Sequence, residues 1–177
     1  YYASLATVAF SGFSLSLFLI VVTKSLFSLA ILSAVFAFFT VQVAGLIHDS
    51  GHRAIFNSAK FNDYFGHFCA ALVGIPYTNW KIRHNKHHAN PNEEDEDPDI
   101  NFPIISFTTN KFQTKKGVAR FLSKYQAYIY FPLLTLTVFA ERNFSSVFSK
   151  SNSKLKNWEK CLKGAGLMMM YGVYANL

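Results

Sequence analysis

Two histidine clusters are the part of this chain best suited to chemistry: His48-Asp49-Ser50-Gly51-His52 and His84-Asn85-Lys86-His87-His88. All six histidines of the chain fall between His48 and His88. Side chains three and four residues apart share one face of a helix, so His48 and His52 can point together, as can His84, His87 and His88. Neutral imidazole suits iron, zinc, copper and nickel. Five clustered ligands exceed one tetrahedral site, which suggests a dinuclear centre whose remaining ligands come from another part of the polypeptide. His67 stands alone between the clusters and reads as a structural or interfacial residue. Two familiar metal sites are excluded. No Glu-x-x-His occurs, as a carboxylate-bridged di-iron bundle would need. No His-Glu-x-x-His occurs either, and the residue after His48 is Asp49 rather than the general base of a zinc protease. Cys69 and Cys161 form no paired spacing and no Cys-x-x-Cys, so neither a disulfide framework nor a zinc ribbon is indicated.

The segments that must position these clusters are long and apolar. The chain has 177 residues, of which 51% are hydrophobic and 17% aromatic, with 19 Phe. Charged residues make up 15%, against about a quarter in an ordinary soluble domain. Residues 2–22 and 26–47 carry no charge, and each run is close to the ~20 residues that cross the hydrocarbon core. Separated only by Thr23-Lys24-Ser25, they read as a transmembrane helical hairpin rather than as two buried core helices. The first run lacks the basic n-region and small-residue cleavage site of a signal peptide. The hairpin turn holds only Lys24, whereas Arg53, Lys60, Lys81, Arg83 and Lys86 follow the second run. The positive-inside bias therefore places the N-terminus and the histidine clusters on the cytoplasmic side.

Further along, residues 56–80 mix Phe61, Tyr64, Phe65, Phe68, Tyr77 and Trp80 with polar residues, a composition that predicts a helix lying in the membrane interface. Residues 92–99 hold six of the ten acidic residues. With Pro91 and Pro98 they read as an extended, solvated loop, except at Asp97 and Asp99, which could support the neighbouring histidines. Residues 125–140 are apolar but short, broken by Pro132 and flanked by basic residues on both sides. The charge rule predicts a helix that dips into or lies along the membrane there, with residues 162–177 as the start of a further span. Both ends read as cut. No phosphate loop or nucleic-acid motif occurs, and the net charge of +7 is assigned to anionic lipid headgroups and protein partners, not to nucleic acid. The expected architecture is an all-α integral membrane protein: a transmembrane hairpin, then a cytoplasmic histidine region over residues 48–124 with interfacial helices.

The pattern His-x-x-x-His followed by His-x-x-His-His, in a chain with such a hairpin, resembles the membrane fatty acid desaturases. The neighbouring residues extend the likeness: Gly51-His52-Arg53 with Ile55-Phe56, Asn79-Trp80 ahead of Arg83-His84, Ala89-Asn90-Pro91-Asn92, Asp97-Pro98-Asp99-Ile100, Tyr125-Gln126 and Phe131-Pro132-Leu133-Leu134. In these the chain looks like the bacterial acyl-lipid and acyl-CoA desaturases related to front-end enzymes, over essentially its whole length. The family's third box, commonly Gln-x-x-His-His, is not in these 177 residues, so the chain reads as a partial desaturase domain that would be inactive alone. The resemblance implies two iron ions held by His48, His52, His84, His87 and His88. It implies O2 as co-substrate, an acyl-CoA or acyl-lipid substrate that gains a cis double bond, and a ferredoxin or cytochrome-b5-type electron donor. Asp49 and Asp97 would then hold imidazole N–H groups. Tyr77, Asn79 and Trp80 would border the acyl channel, although their character equally suits a membrane-interface belt. A bacterial inner membrane is the location it favours over the endoplasmic reticulum. Two rival readings share the histidines: a related membrane hydroxylase acting on alkanes, sterols or carotenoids, and a non-enzymatic metal-binding membrane protein.

Overall fold

The charge-free runs fold as helices because no Pro and few Gly interrupt them, and because a helix satisfies every backbone polar group within itself. The computed structural model describes residues 1–102, 104–134 and 157–174. Among these every regular element is α-helical: α1 Tyr2–Val22, α2 Leu26–Gly51, α3 Ala59–Val73, α4 Tyr77–Ala89, α5 Thr109–Thr114, α6 Gly117–Lys124 and α7 Asn157–Tyr174. Helical backbone also runs through residues 126–134. The remainder of the expected helix over residues 125–140 lies outside the described residues, as do Arg142, Lys150, Lys154 and Lys156 of its flank. The chain divides into two compact units, residues 1–78 with the C-terminal segment from 154, and residues 79–153.

In the first unit, α1 and α2 are, among the described residues, the two helices long and apolar enough to cross a membrane. They meet along a stripe of buried residues on α1, namely Ala9, Phe13, Ser16 and Ile20, spaced so that they share one face. Phe13 packs on Phe36 with ring centroids 4.9 Å apart. Gly12 sits under the Phe39 ring, in space that a Cβ would occupy. The other faces leave Val8, Leu15, Phe18, Phe38 and Val41 exposed, which a soluble core helix would not do and a lipid-facing one does. Ser25 begins α2, its hydroxyl accepting the Ser28 N–H at 3.4 Å.

Helix α2 is 26 residues long, more than the ~20 that span the hydrocarbon. Its last turn therefore carries His48 to Gly51 clear of the apolar run. Arg53 reverses the chain in the left-handed region (φ 59°). The return loop is fixed by one buried side chain. Asn62 Oδ1 accepts the N–H groups of Ile55 and Phe56, at 3.2 and 3.1 Å. Its Nδ2 donates to the carbonyls of Phe56 and Ser58, at 2.6 and 2.9 Å.

The expected single interfacial helix over residues 56–80 is two helices. Gly74 adopts φ 80° and the Ile75 N–H reaches back to the Ala70 carbonyl at 3.0 Å, a glycine stop that also satisfies the last carbonyls of α3. Pro76 then supplies an extended entry to α4. Close approaches lock α3 in place. A Cβ on Gly66 would lie 2.5 Å from the Tyr77 ring, and one on Gly166 of α7 would lie 1.8 Å from the Ala71 carbonyl oxygen. Helix α7 begins at Asn157, ahead of the apolar run expected from residue 162, and its Glu159 and Lys163 are buried.

In the second unit the acidic loop after α4 is folded rather than extended. Arg83 Nε donates to Asp99 at 3.0 Å, Lys86 pairs with Glu96 at 3.1 Å, and Lys111 pairs with Asp95. Asn92 and Asp95 take positive φ to turn the chain. At its centre is Asp97, whose side chain is fully buried.

Candidate metal centre

Each unit holds one histidine group. At the end of α2, four residues of separation bring His48 and His52 to a ring-centroid distance of 4.5 Å, with ligand nitrogens within 4.8 Å of one another. His48 Nδ1 lies 3.1 Å from Asp49 Oδ1. That contact engages Nδ1. Both imidazoles are exposed.

On α4 the same spacing repeats. His84 and His88 direct their Nε2 atoms at one another, 3.1 Å apart. Two nitrogens bound at about 2.1 Å to one ion stand about 3 Å apart when the angle at the metal is near 90°, so this pair has the spacing of a chelate. Trp80 stacks on His84 with centroids 4.7 Å apart and planes 16° from parallel, which fixes the ring. His87, one residue away from His88, faces the acidic loop. Its Nδ1 lies 2.9 Å from Asp97 Oδ2 and 3.7 Å from Asp99 Oδ2.

Asp97 is held in turn by the backbone, accepting the N–H of Asn92 at 2.7 Å and of Asp99 at 2.8 Å. Burial alone would raise its pKa. The backbone donors and the His87 imidazole outweigh that cost and hold the carboxyl below its ordinary range. The same hydrogen bond raises the His87 pKa, more than offsetting the opposite push of desolvation. An imidazole whose Nδ1–H is given to a fixed carboxylate presents Nε2 as a ligand, the usual support of a metal-bound histidine. The donor set is thus nitrogen-rich, carboxylate-backed and suited to a borderline divalent ion such as iron. Cys69 offers no alternative ligand, because burial pushes its thiol up to about 12.

The three residues named as channel candidates lie in different surroundings. Tyr77 is buried against Gly66 and His67, and its hydroxyl donates to Asp63 at 3.3 Å. Burial first, then the Asp63 charge, raises its pKa, so it stays a protonated donor. Trp80 is the platform under His84, and Asn79 is partly exposed. An apolar cavity of about 510 Å³ does open in the first unit, lined by Phe10, Phe13, Leu17, Phe68, Leu72 and Met169 among others. Tyr77 is not part of its lining.

Two supporting residues escaped sequence reasoning. Asn62 carries no motif, and only its burial and four bonds reveal it. Glu159 reaches from α7 to accept the Thr78 N–H at 3.0 Å, capping the first turn of the histidine-bearing α4, and lies 3.6 Å from His67 Nδ1. His67 is held between Tyr77 and Trp158. A lone acid ahead of an apolar helix was its only signal.

A chain that is all-helical among its described residues, with a pair of membrane-length helices and histidine groups whose spacing is compatible with metal binding, has the features of a helical membrane protein. The chain belongs to the fatty acid desaturase family, whose model matches residues 24–176. It is 30% identical to Delta(8)-fatty-acid desaturase 1 of Arabidopsis thaliana over 161 residues, 83% of this chain and 35% of that protein. It is 29% identical to the Delta 8-(E)-sphingolipid desaturase of Emericella nidulans, covering 76% of this chain and 25% of that protein. It is 33% identical to Fatty acid desaturase 3 of Bos taurus, covering 56% and 24%. The chain thus spans about a third or less of the length of these relatives. No solved structure matches it.

Proposed function

We propose that this chain supplies the first two histidine boxes of an oxygen-dependent desaturase that places a cis double bond in an acyl chain. The observation that carries the reading is the pairing of histidine groups with carboxylates that occupy Nδ1, in a chain of the desaturase family. His48, His52, His84, His87 and His88 would hold a pair of iron ions, whose remaining ligands come from the third box of the complete protein. Bound iron would supply the oxidising power, with O2 and a donor of electrons, to remove hydrogens from an unactivated methylene pair.

The chain's own residues do the placing. Asp49 and Asp97 fix the tautomers of His48 and His87, Trp80 fixes the plane of His84, and Glu159 holds the start of α4. The apolar runs keep the centre beside the bilayer that contains the substrate, an acyl-CoA or acyl-lipid, with the histidine groups on the cytoplasmic face by the distribution of Lys and Arg. A ferredoxin or cytochrome-b5-type protein is the donor the reading calls for.

The test is the complete protein, purified in detergent and expressed in a host of defined fatty acids. It should contain about two irons per chain and produce a new double bond, and His84→Ala should abolish the unsaturated product. A hydroxylated product would assign it to the related hydroxylases, and normal unsaturation by the variant would end the assignment.

A further inference from the structure

Helix α6 and the helical residues 126–134 are oriented against the usual rule. Their hydroxyl and amide side chains, Ser123 and Gln126, point inward. Ser123 is buried and donates to the Ile104 carbonyl, and Ser106 Oγ donates to Ser123 Oγ at 3.1 Å. Gln126 pairs with both backbone groups of Ser106, accepting its N–H at 2.8 Å and donating to its carbonyl at 2.8 Å. Lys115 also turns inward, its Nζ donating to the carbonyls of Phe102 and Ile105 at 2.8 and 2.9 Å. These bonds fix the rotation of the segment.

The apolar side chains are what remains outside. Val118, Phe121, Tyr125, Tyr128 and Phe131 recur every three or four residues and are 41% to 84% exposed. Beside them Lys116, Arg120 and Lys124 recur at intervals of four, all exposed, and residues 115–134 contain no acid. In water this arrangement is unfavourable, because rotating the segment would bury the aromatics and solvate the hydroxyl and amide groups. It is favourable where the outer face meets a phase that is apolar below and anionic at its rim.

We propose that this face is a membrane-docking surface of the second unit, with the aromatic stripe set among acyl chains and the three basic residues on anionic lipid headgroups. Tyr and Phe beside Lys and Arg are the residues that settle at that boundary, and the uniform positive charge complements anionic lipid. The role goes beyond the hairpin, which anchors the first unit, and does not depend on desaturation.

The test uses the full chain with Cys161→Ser, since Cys69 is buried and Cys161 exposed. A fluorophore on Phe121→Cys, or independently on Tyr128→Cys, is read in vesicles containing phosphatidylglycerol and in phosphatidylcholine alone. A shallow nitroxide lipid should quench either label at least about twofold more than a label at the control Glu96→Cys. The quenching should weaken in phosphatidylcholine, and with Lys116→Gln and Lys124→Gln. Quenching by an aqueous agent instead, or protection from both quenchers as a covering protein would give, overturns the proposal. Equal quenching in both vesicle types overturns its anionic-lipid part. None of these readings requires catalysis, so they stand apart from the desaturase assignment.

Discussion

At the scale of single residues, carboxylates decide how the histidines present themselves. Asp97 and His87 give opposite pH signatures in the metal-free protein. The His87 pKa is raised, so its contribution to stability is complete below the ordinary histidine value of about 6.5 and fades as pH climbs through the raised value. The Asp97 pKa is lowered, so its contribution is complete above the ordinary value of about 3.9 and fades as pH falls through the lowered one. Protection of the Asn92 and Asp99 amides from hydrogen exchange should therefore be greatest in the mildly acidic range between. Asp97→Asn should flatten that profile, and an unchanged profile would show that the pair does not form. Asn62 acts differently, through bond count. Asn62→Ala leaves the Ile55 and Phe56 amides without their part-buried acceptor and should cost about 1–3 kcal/mol, seen as a lower melting temperature in detergent.

Among the elements, α3 is the frame on which the others are set. It meets α7 where Gly166 touches the Ala71 backbone and meets the start of α4 where Gly66 touches Tyr77. Backbone cannot yield as a side chain can. Gly166→Ala should thus destabilise the protein by about 1–3 kcal/mol or more, measured by thermal unfolding, whereas Gly164→Ala, with open space around it, should be neutral or slightly stabilising. The Glu159 cap gives a second element-level outcome. Glu159→Ala removes the acceptor of the Thr78 N–H and should weaken the first turn of α4 by about 1 kcal/mol. Faster exchange of the α4 amides relative to Glu159→Gln, which keeps an acceptor, would show it.

For the whole molecule the expected link is between metal and stability. If iron binds the folded chain alone, adding it at about a hundredfold excess over Kd should stabilise the complete protein by roughly 2–3 kcal/mol. The increment should vanish in His84→Ala, whereas an increment that survives it would show that the α4 histidines do not hold the metal.

The apolar runs, the hairpin turn and the histidine spacings were legible in the sequence because each is a local pattern: a charge-free stretch of bilayer length, or imidazoles repeating with the helical period. The family followed from the same local text. The sequence also marked Asp97 as special, since an acid ten residues from His87 is close enough along the chain to fold back. Other features depended on chain segments meeting. The stop at Gly74 splits one expected helix into two because its positive φ lets the Ile75 N–H turn back onto the Ala70 carbonyl and close α3, and the acidic stretch folds because Arg83, Lys86 and Lys111 neutralise it. Asn62 and Glu159 became visible only when burial and partners 81 residues apart were known. The outward aromatics of α6 likewise rest on bonds to residues 104–106, since periodicity reveals that a helix has two faces but only tertiary contacts choose which one is turned in.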